Sequence, residues 1–201
     1  MKRSTAAAIV IVVAAVPRVL VLARERETIL EAFVDKSDRF ATTLVDHGTF
    51  GFLAGVPSAY TQPLYGWFLA VLYWPFGRSW LAVGIAQIAI AVLTALVVFA
   101  IGTRLRSPGV GLVAATIATL HPYVIWHDVH LNREVLDGLA LALLALCALV
   151  AYERRSLPFA AVTGGGAWWS RDQAQGRCSA REGPSIPRST GTVTNRNPRA
   201  R

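Results

Sequence analysis

Asp35 and Asp38 are the residues of this chain best suited by type and spacing to acid–base chemistry. They stand three apart in Asp35-Lys36-Ser37-Asp38-Arg39-Phe40-Ala41, so on a helix they share one face. Neighbouring carboxylates can shift one another's proton affinity, or one can accept a proton while the other orients a hydroxyl or ammonium group. Taken alone the pair also fits a solvated loop in which Lys36 and Arg39 balance the charge. About twenty residues on, an aromatic run extends from Ser58 to Gly77 as SAYTQPLYGWFLAVLYWPFG. Acids beside such a platform are more specific than either feature alone.

A second polar group comprises His127, Asp128, His130, Arg133 and Glu134. His127-Asp128-Val129-His130 has ligand-type side chains without the spacing of a defined metal motif, so no metal is expected. Glu134 suits a helix N-terminus electrostatically, and the planar donor fork of Arg133 matches phosphate oxygens. Asp137 stands about one turn into the apolar stretch that follows and should face a polar cavity. The chain has no Walker-type phosphate loop, Rossmann glycine fingerprint, HExxH or GxSxG. Nucleotide-driven transport, zinc proteolysis and serine hydrolysis therefore gain no support.

The elements that must position these residues are membrane helices. Of 201 residues, 54% are hydrophobic and 16% charged, and Ser79 to Thr103 runs 25 residues without a charge. Runs of that length are rare in soluble cores. The pattern predicts an all-α integral membrane protein with about four transmembrane helices, at 6–23, 79–101, 109–126 and 133–152. Extracytoplasmic juxtamembrane helices and a disordered C-terminal tail complete that expectation. The first stretch is expected to be an uncleaved anchor, with a cleavable signal peptide as the alternative. Arg18 would lie near its far interface, its guanidinium reaching water or a phosphate. Residues 60–76 hold an apolar run too short to cross, rich in Tyr and Trp, and are expected to lie at headgroup level. Lys2/Arg3, Arg104/Arg106 and Arg154/Arg155 fall on one side, which places the N-terminus in the cytoplasm. The loop 24–78 and the loop His127 to Glu134 then face outward together. An enzyme acting on a lipid-linked substrate would keep its base in such an acidic loop at the membrane surface.

Net charge is +8, but residues 164–201 supply +5 of it through seven Arg against Asp172 and Glu182. The rest is spread over short loops, which argues against a nucleic-acid face. Cys147 and Cys178 make neither a disulfide framework nor a metal pair. Residues 1–162 read as the N-terminal part of a membrane domain, and 163–201 as a disordered basic tail. Leu157 to Val162 resembles the start of a span that does not complete, so truncation by a frameshift is the favoured explanation of the tail.

The order and spacing of these features resemble the GT-C membrane glycosyltransferases, in particular the dolichyl-phosphate-mannose protein mannosyltransferase and aminoarabinose transferase-like branch. The matching residues are Asp35 and Asp38 followed by Phe40-Ala41, and the turn Gly48-Thr49-Phe50-Gly51. Pro63-Leu64-Tyr65 running to Phe76-Gly77, the long span after it, and Arg133-Glu134 complete the match, over about residues 6–158. The resemblance implies a helical membrane enzyme of the bacterial cell membrane using a polyprenyl-phosphate-linked sugar as donor and an extracytoplasmic acceptor. Acceptor attack at the anomeric carbon would displace the lipid phosphate. Asp35, then Asp38, are the implied catalytic residues. Arg18, Arg133, Glu134 and Tyr65 are the candidates for substrate binding, and no cofactor is implied. Members normally have many more spans, so this polypeptide is expected to be inactive as a fragment. The competing readings are a non-enzymatic membrane scaffold, or a transporter fragment with Asp137 and His121 lining a polar path.

Overall fold

A computed structural model describes residues 2–32 and 34–154 of the chain. The expected tail 163–201, and the stretch 155–162 before it, lie outside the described residues. Seven α-helices follow in order among those described: α1 (Arg3–Glu25), α2 (Ser37–His47), α3 (Pro63–Phe76), α4 (Trp80–Leu105), α5 (Pro108–Thr119), α6 (Pro122–His127) and α7 (Glu134–Arg154). A 3₁₀ turn, Arg26–Leu30, follows α1 directly. The protein is an all-α integral membrane protein, and α1, α4 and α7 are each long and apolar enough to cross a bilayer.

α1 buries Ala6, Val10, Ala14, Arg18 and Leu22, a stripe repeating every four residues. Such a stripe keeps one face of a helix against its neighbours, here α4 and α5. Pro17, which removes one backbone donor, is carried inside the helix without ending it. α4 begins at Ser79, whose side-chain oxygen accepts the Ala82 N–H at 3.5 Å. α5 begins in the same way, with Ser107 accepting the Val110 N–H at 3.3 Å and Pro108 at the first helical position. The α4–α5 hairpin is drawn tight by Gly102 and Gly111. A Cβ on Gly102 would stand 2.7 Å from the Gly111 Cα.

The helix expected over 109–126 is interrupted. His121, preceding Pro122, adopts φ −64° and ψ 122°, the extended conformation that a following proline favours. The apolar run therefore divides into α5, with 12 residues, and the short α6. A 12-residue helix rises about 18 Å, less than a hydrocarbon core of roughly 30 Å.

At one end of the bundle α2 and α3 pack on each other. Phe40 meets Phe50 and Phe52 edge-on, at centroid distances of 4.9 and 4.6 Å. Phe50 lies over Gly66, where a Cβ would come within 2.9 Å of its ring. The turn between them leaves α2 through Gly48 at φ 66°, a left-handed conformation that glycine adopts at little cost. α3 buries Tyr65, Leu69 and Tyr73 and exposes Leu64, Trp67, Val71 and Trp74. The exposed face is apolar and aromatic, as an interfacial helix requires.

Candidate functional site

The segment 34–36 and the α6–α7 loop meet at this end, where the Asp35 N–H donates to the Leu131 carbonyl at 2.9 Å. Around that contact an open cleft of about 460 Å³ is lined by Val34, Asp35, Lys36, Tyr60, Thr61, Gln62, Asn132, Arg133 and Glu134. Three of the residues expected in a site, Asp35, Arg133 and Glu134, thus come together from stretches a hundred residues apart.

Asp35 is half-buried. Its Oδ1 accepts the Ser37 N–H at 2.8 Å, and its other oxygen has no hydrogen-bond partner among the described residues. Two cations line the cleft with it. Lys36 donates to the Tyr60 hydroxyl at 2.8 Å and stands 4.5 Å from that ring's centroid. The hydrogen bond and the charge of Lys36 lower the proton affinity of the exposed Tyr60 phenol. Arg133 is exposed, with no side-chain partner among the described residues. Glu134 opens α7, and its Oε2 stands 3.5 Å from His127 Nδ1. Both acids and both cations line one cleft, which suits a ligand bearing hydroxyls and a phosphate.

Asp38 lies in a different setting from Asp35. It is 8% exposed and accepts the Tyr73 hydroxyl at 2.6 Å on Oδ1. Arg78 donates to both its oxygens, with Nη2 to Oδ2 at 2.8 Å. Burial, then the Asp38 carboxylate it bonds, push the Tyr73 phenol far above its ordinary range, so it stays a donor. The hydrogen bond to Asp38 also raises the affinity of Arg78 for its proton.

Tyr65 lies beneath the cleft, 2% exposed. Gln87 Nε2 donates to its hydroxyl at 3.0 Å and to the His130 carbonyl at 3.0 Å, tying α3 and α4 to the α6–α7 loop. Burial, with Tyr73, Asp35 and Asp38 nearby, raises its proton affinity strongly. Arg18, expected to reach water, is instead 1% exposed. It donates to Asp128 at 2.6 and 2.9 Å, to the Ala14 carbonyl at 2.8 Å and to Thr119 at 3.0 Å. A smaller cavity of about 200 Å³ adjoins this pair and shares Glu134 with the cleft. Asp137 and His121 are exposed and line neither cavity. Among the described residues no group of three or more His, Cys, Asp or Glu is placed to hold a metal.

Reasoning from sequence passed over Arg78 and Lys36. Arg78 follows the aromatic run and directly precedes the N-cap of α4, and an isolated arginine at a span boundary reads as topogenic charge. Lys36, beside Asp35, reads as its counter-charge. Asp128 was noted but not matched to Arg18, since 110 residues separate them.

A sequence profile described as dolichyl-phosphate-mannose-protein mannosyltransferase matches residues 57–174, more than half of the chain. The chain belongs to that family. The match begins after Asp35 and Asp38 and takes in α3 to α7, and hence the Tyr60–Gln62 and Asn132–Glu134 walls of the cleft. No curated protein and no solved structure matches the chain. Family and architecture together make this a glycosyltransferase-like membrane protein.

Proposed function

We propose that the Asp35 cleft is the reaction site of a membrane glycosyltransferase that moves a sugar from a polyprenyl-phosphate donor to an extracytoplasmic acceptor. The observation that carries the reading is the spare oxygen of Asp35, facing the same cleft as Lys36, Arg133 and Glu134. In this reading an acceptor hydroxyl attacks the anomeric carbon of the sugar while Asp35 takes its proton. The bond from that carbon to the phosphate oxygen breaks, and the lipid phosphate leaves. Arg133 and Lys36 offset the charge that grows on the phosphate, and Glu134 orients a sugar or acceptor hydroxyl. Asp38, Tyr65 and Arg18, whose polar groups are engaged within the fold, support the site without touching substrate. The basic ends Lys2/Arg3, Arg104/Arg106 and Arg154/Arg155 favour a cytoplasmic N-terminus and an outward cleft, as in a bacterial cell membrane. Arg104 meets Glu153 at 3.0 Å, which supports a common side for the last two of these.

Asp35→Asn tests this reading. Asn keeps the size and can still accept the Ser37 N–H, but it is no general base. In a form of the protein that carries the family's further spans, transfer of labelled sugar from a polyprenyl-phosphate donor should fall by about 10²–10⁴-fold, with membrane insertion unchanged. Transfer at the parent rate would return the acidic loop to a solvated surface.

A further inference from the structure

Asp35 sits on a stretch that belongs to neither the 3₁₀ turn before it nor α2 after it, and one side chain closes both ends of that stretch. Arg78 Nη2 donates to the Leu30 carbonyl at 2.7 Å and to Asp38 Oδ2 at 2.8 Å. Leu30 ends the 3₁₀ turn, and Asp38 lies in the first turn of α2. Within the closed stretch the Asp38 N–H donates to the Asp35 carbonyl at 3.0 Å, and the Ser37 N–H holds Asp35 Oδ1 at 2.8 Å. Tyr73 of α3 fixes the remaining approach to Asp38, at 2.6 Å. Arg78 itself directly precedes Ser79, the N-cap of α4.

We propose that Arg78, Asp38 and Tyr73 form a positioning clamp that sets the Asp35 carboxylate in the cleft and ties its position to the membrane helix α4. Asp38 is then the keystone of the clamp and not a second base. The clamp rests on Asp35 being the reacting group, but its mechanical part stands separately. Lys36, Ser37 and Asp38 are also held, by Tyr60, Thr61 and Tyr73, and Asp35 by the Leu131 carbonyl. Among the described residues, however, Arg78 alone links Asp38 to the end of the 3₁₀ turn, through the Leu30 carbonyl. Displacements of about 1 Å at a reacting group cost on the order of 10²-fold in rate, so a clamp of this kind bears directly on catalysis.

The test needs no turnover. Ser37, fully buried beside Thr61, is changed to cysteine in the full chain carrying Cys147→Ala and Cys178→Ala. The rate of maleimide labelling is read in detergent micelles. Arg78→Gln and Asp38→Asn are expected to speed labelling at least about 10-fold, since local opening then replaces a closed segment. Tyr73→Phe, which removes one hydroxyl and disturbs folding least, should give a smaller rise. Arg78→Lys, which keeps the charge but not the fork, should recover part of the protection. Arg104→Gln breaks an ion pair at the other end of the bundle and should change nothing. Labelling at the parent rate in Arg78→Gln, Asp38→Asn and Tyr73→Phe would overturn the clamp. So would an equal rise in Arg104→Gln, because the effect would then be general loosening.

A transfer assay, in the form that carries the family's further spans, separates the clamp from the reaction. Arg78→Gln should lower kcat with little change in the KM for donor, and Arg78→Lys should restore part of kcat. A fall in donor binding alone would make Arg78 a ligand contact and overturn the positioning role. Fast labelling in Arg78→Gln together with parent transfer in Asp35→Asn would leave the clamp standing and remove Asp35 as base.

Discussion

Around Arg18 the guanidinium makes four hydrogen bonds, two of them to Asp128, and the pair is almost sealed from solvent. Around Asp35 the surroundings are reversed. One carboxylate oxygen and the whole Arg133 guanidinium lack protein partners among the described residues, and an open cleft joins them. The two regions share Glu134 as a wall, so distance does not separate them. What separates them is spare hydrogen-bonding capacity. A charge whose donors and acceptors are all used within the fold serves the fold; a charge with capacity left over is free for a ligand. Asp38 belongs with Arg18 by this criterion, although it lies three residues from Asp35.

The sharpest break of the comparison is Asp128→Ala. It leaves Arg18 buried without its counter-charge, a loss of about 3–5 kcal/mol for a sealed pair. Reversible unfolding in mixed micelles should show the drop. The double change Arg18→Leu with Asp128→Leu should recover most of it, because an apolar pair of similar volume needs no solvation. If Asp128→Ala unfolds at the parent midpoint, the sealed region is not where the fold depends on its charges.

How far the sequence reveals this contrast depends on the range of the interaction. The helices were legible from uncharged run length, and their common end from basic residues at short loops. The break of the third span was partly legible, since His121-Pro122 stands near its end, but whether a proline is carried, as at Pro17, or ends a helix depends on packing. Asp35, Arg133 and Glu134 were legible as residue types that could do chemistry. Nothing in a linear pattern told Asp35 from Asp38, because the distinction rests on Arg78, forty residues away. The fate of Arg18 was illegible for the same reason, and chemistry alone made it a phosphate ligand. Tyr65 was a candidate for substrate binding, yet it is buried and its hydroxyl is engaged by Gln87.

A middle-sized effect is expected from pH acting on Tyr73. Its folded proton affinity is raised above that of the unfolded chain, as is that of Tyr65. The folded state therefore holds these protons where the unfolded state, with tyrosine near about 10, has released them. Their contribution is complete below pH of about 10 and is lost as pH rises beyond it. Unfolding midpoints at pH 8 and 11 should differ, with the alkaline form the less stable. Tyr73→Phe should be less stable at pH 8, by about 1.5–3 kcal/mol for a hydrogen bond to a charged group. It should also lose less on going to pH 11. A pH response as steep as the parent's would mean that other groups govern the alkaline limb.

The smallest effect on stability is expected at Arg133, which is why it sharpens the comparison most. Its side chain is exposed and has no partner among the described residues, so Arg133→Ala should leave the unfolding midpoint within about 0.5 kcal/mol of the parent. Its backbone carbonyl, which accepts the Leu136 and Asp137 N–H groups at 3.0 and 3.2 Å and starts α7, is untouched by the change. Binding should respond differently. If the guanidinium is spare capacity held for a phosphate, removing it should weaken retention of a polyprenyl phosphate in micelles. A buried-site loss for a charge-assisted contact, about 1.5–3 kcal/mol, sets the upper limit, and high salt should narrow the gap between variant and parent. Arg133→Lys keeps the charge but not the planar fork and should fall between the two. A variant that binds polyprenyl phosphate as the parent does, at low salt, would show that unspent charge in this cleft is surface charge. A variant that unfolds would show that Arg133 belongs with Arg18, and the division between the two regions would fail at its clearest point.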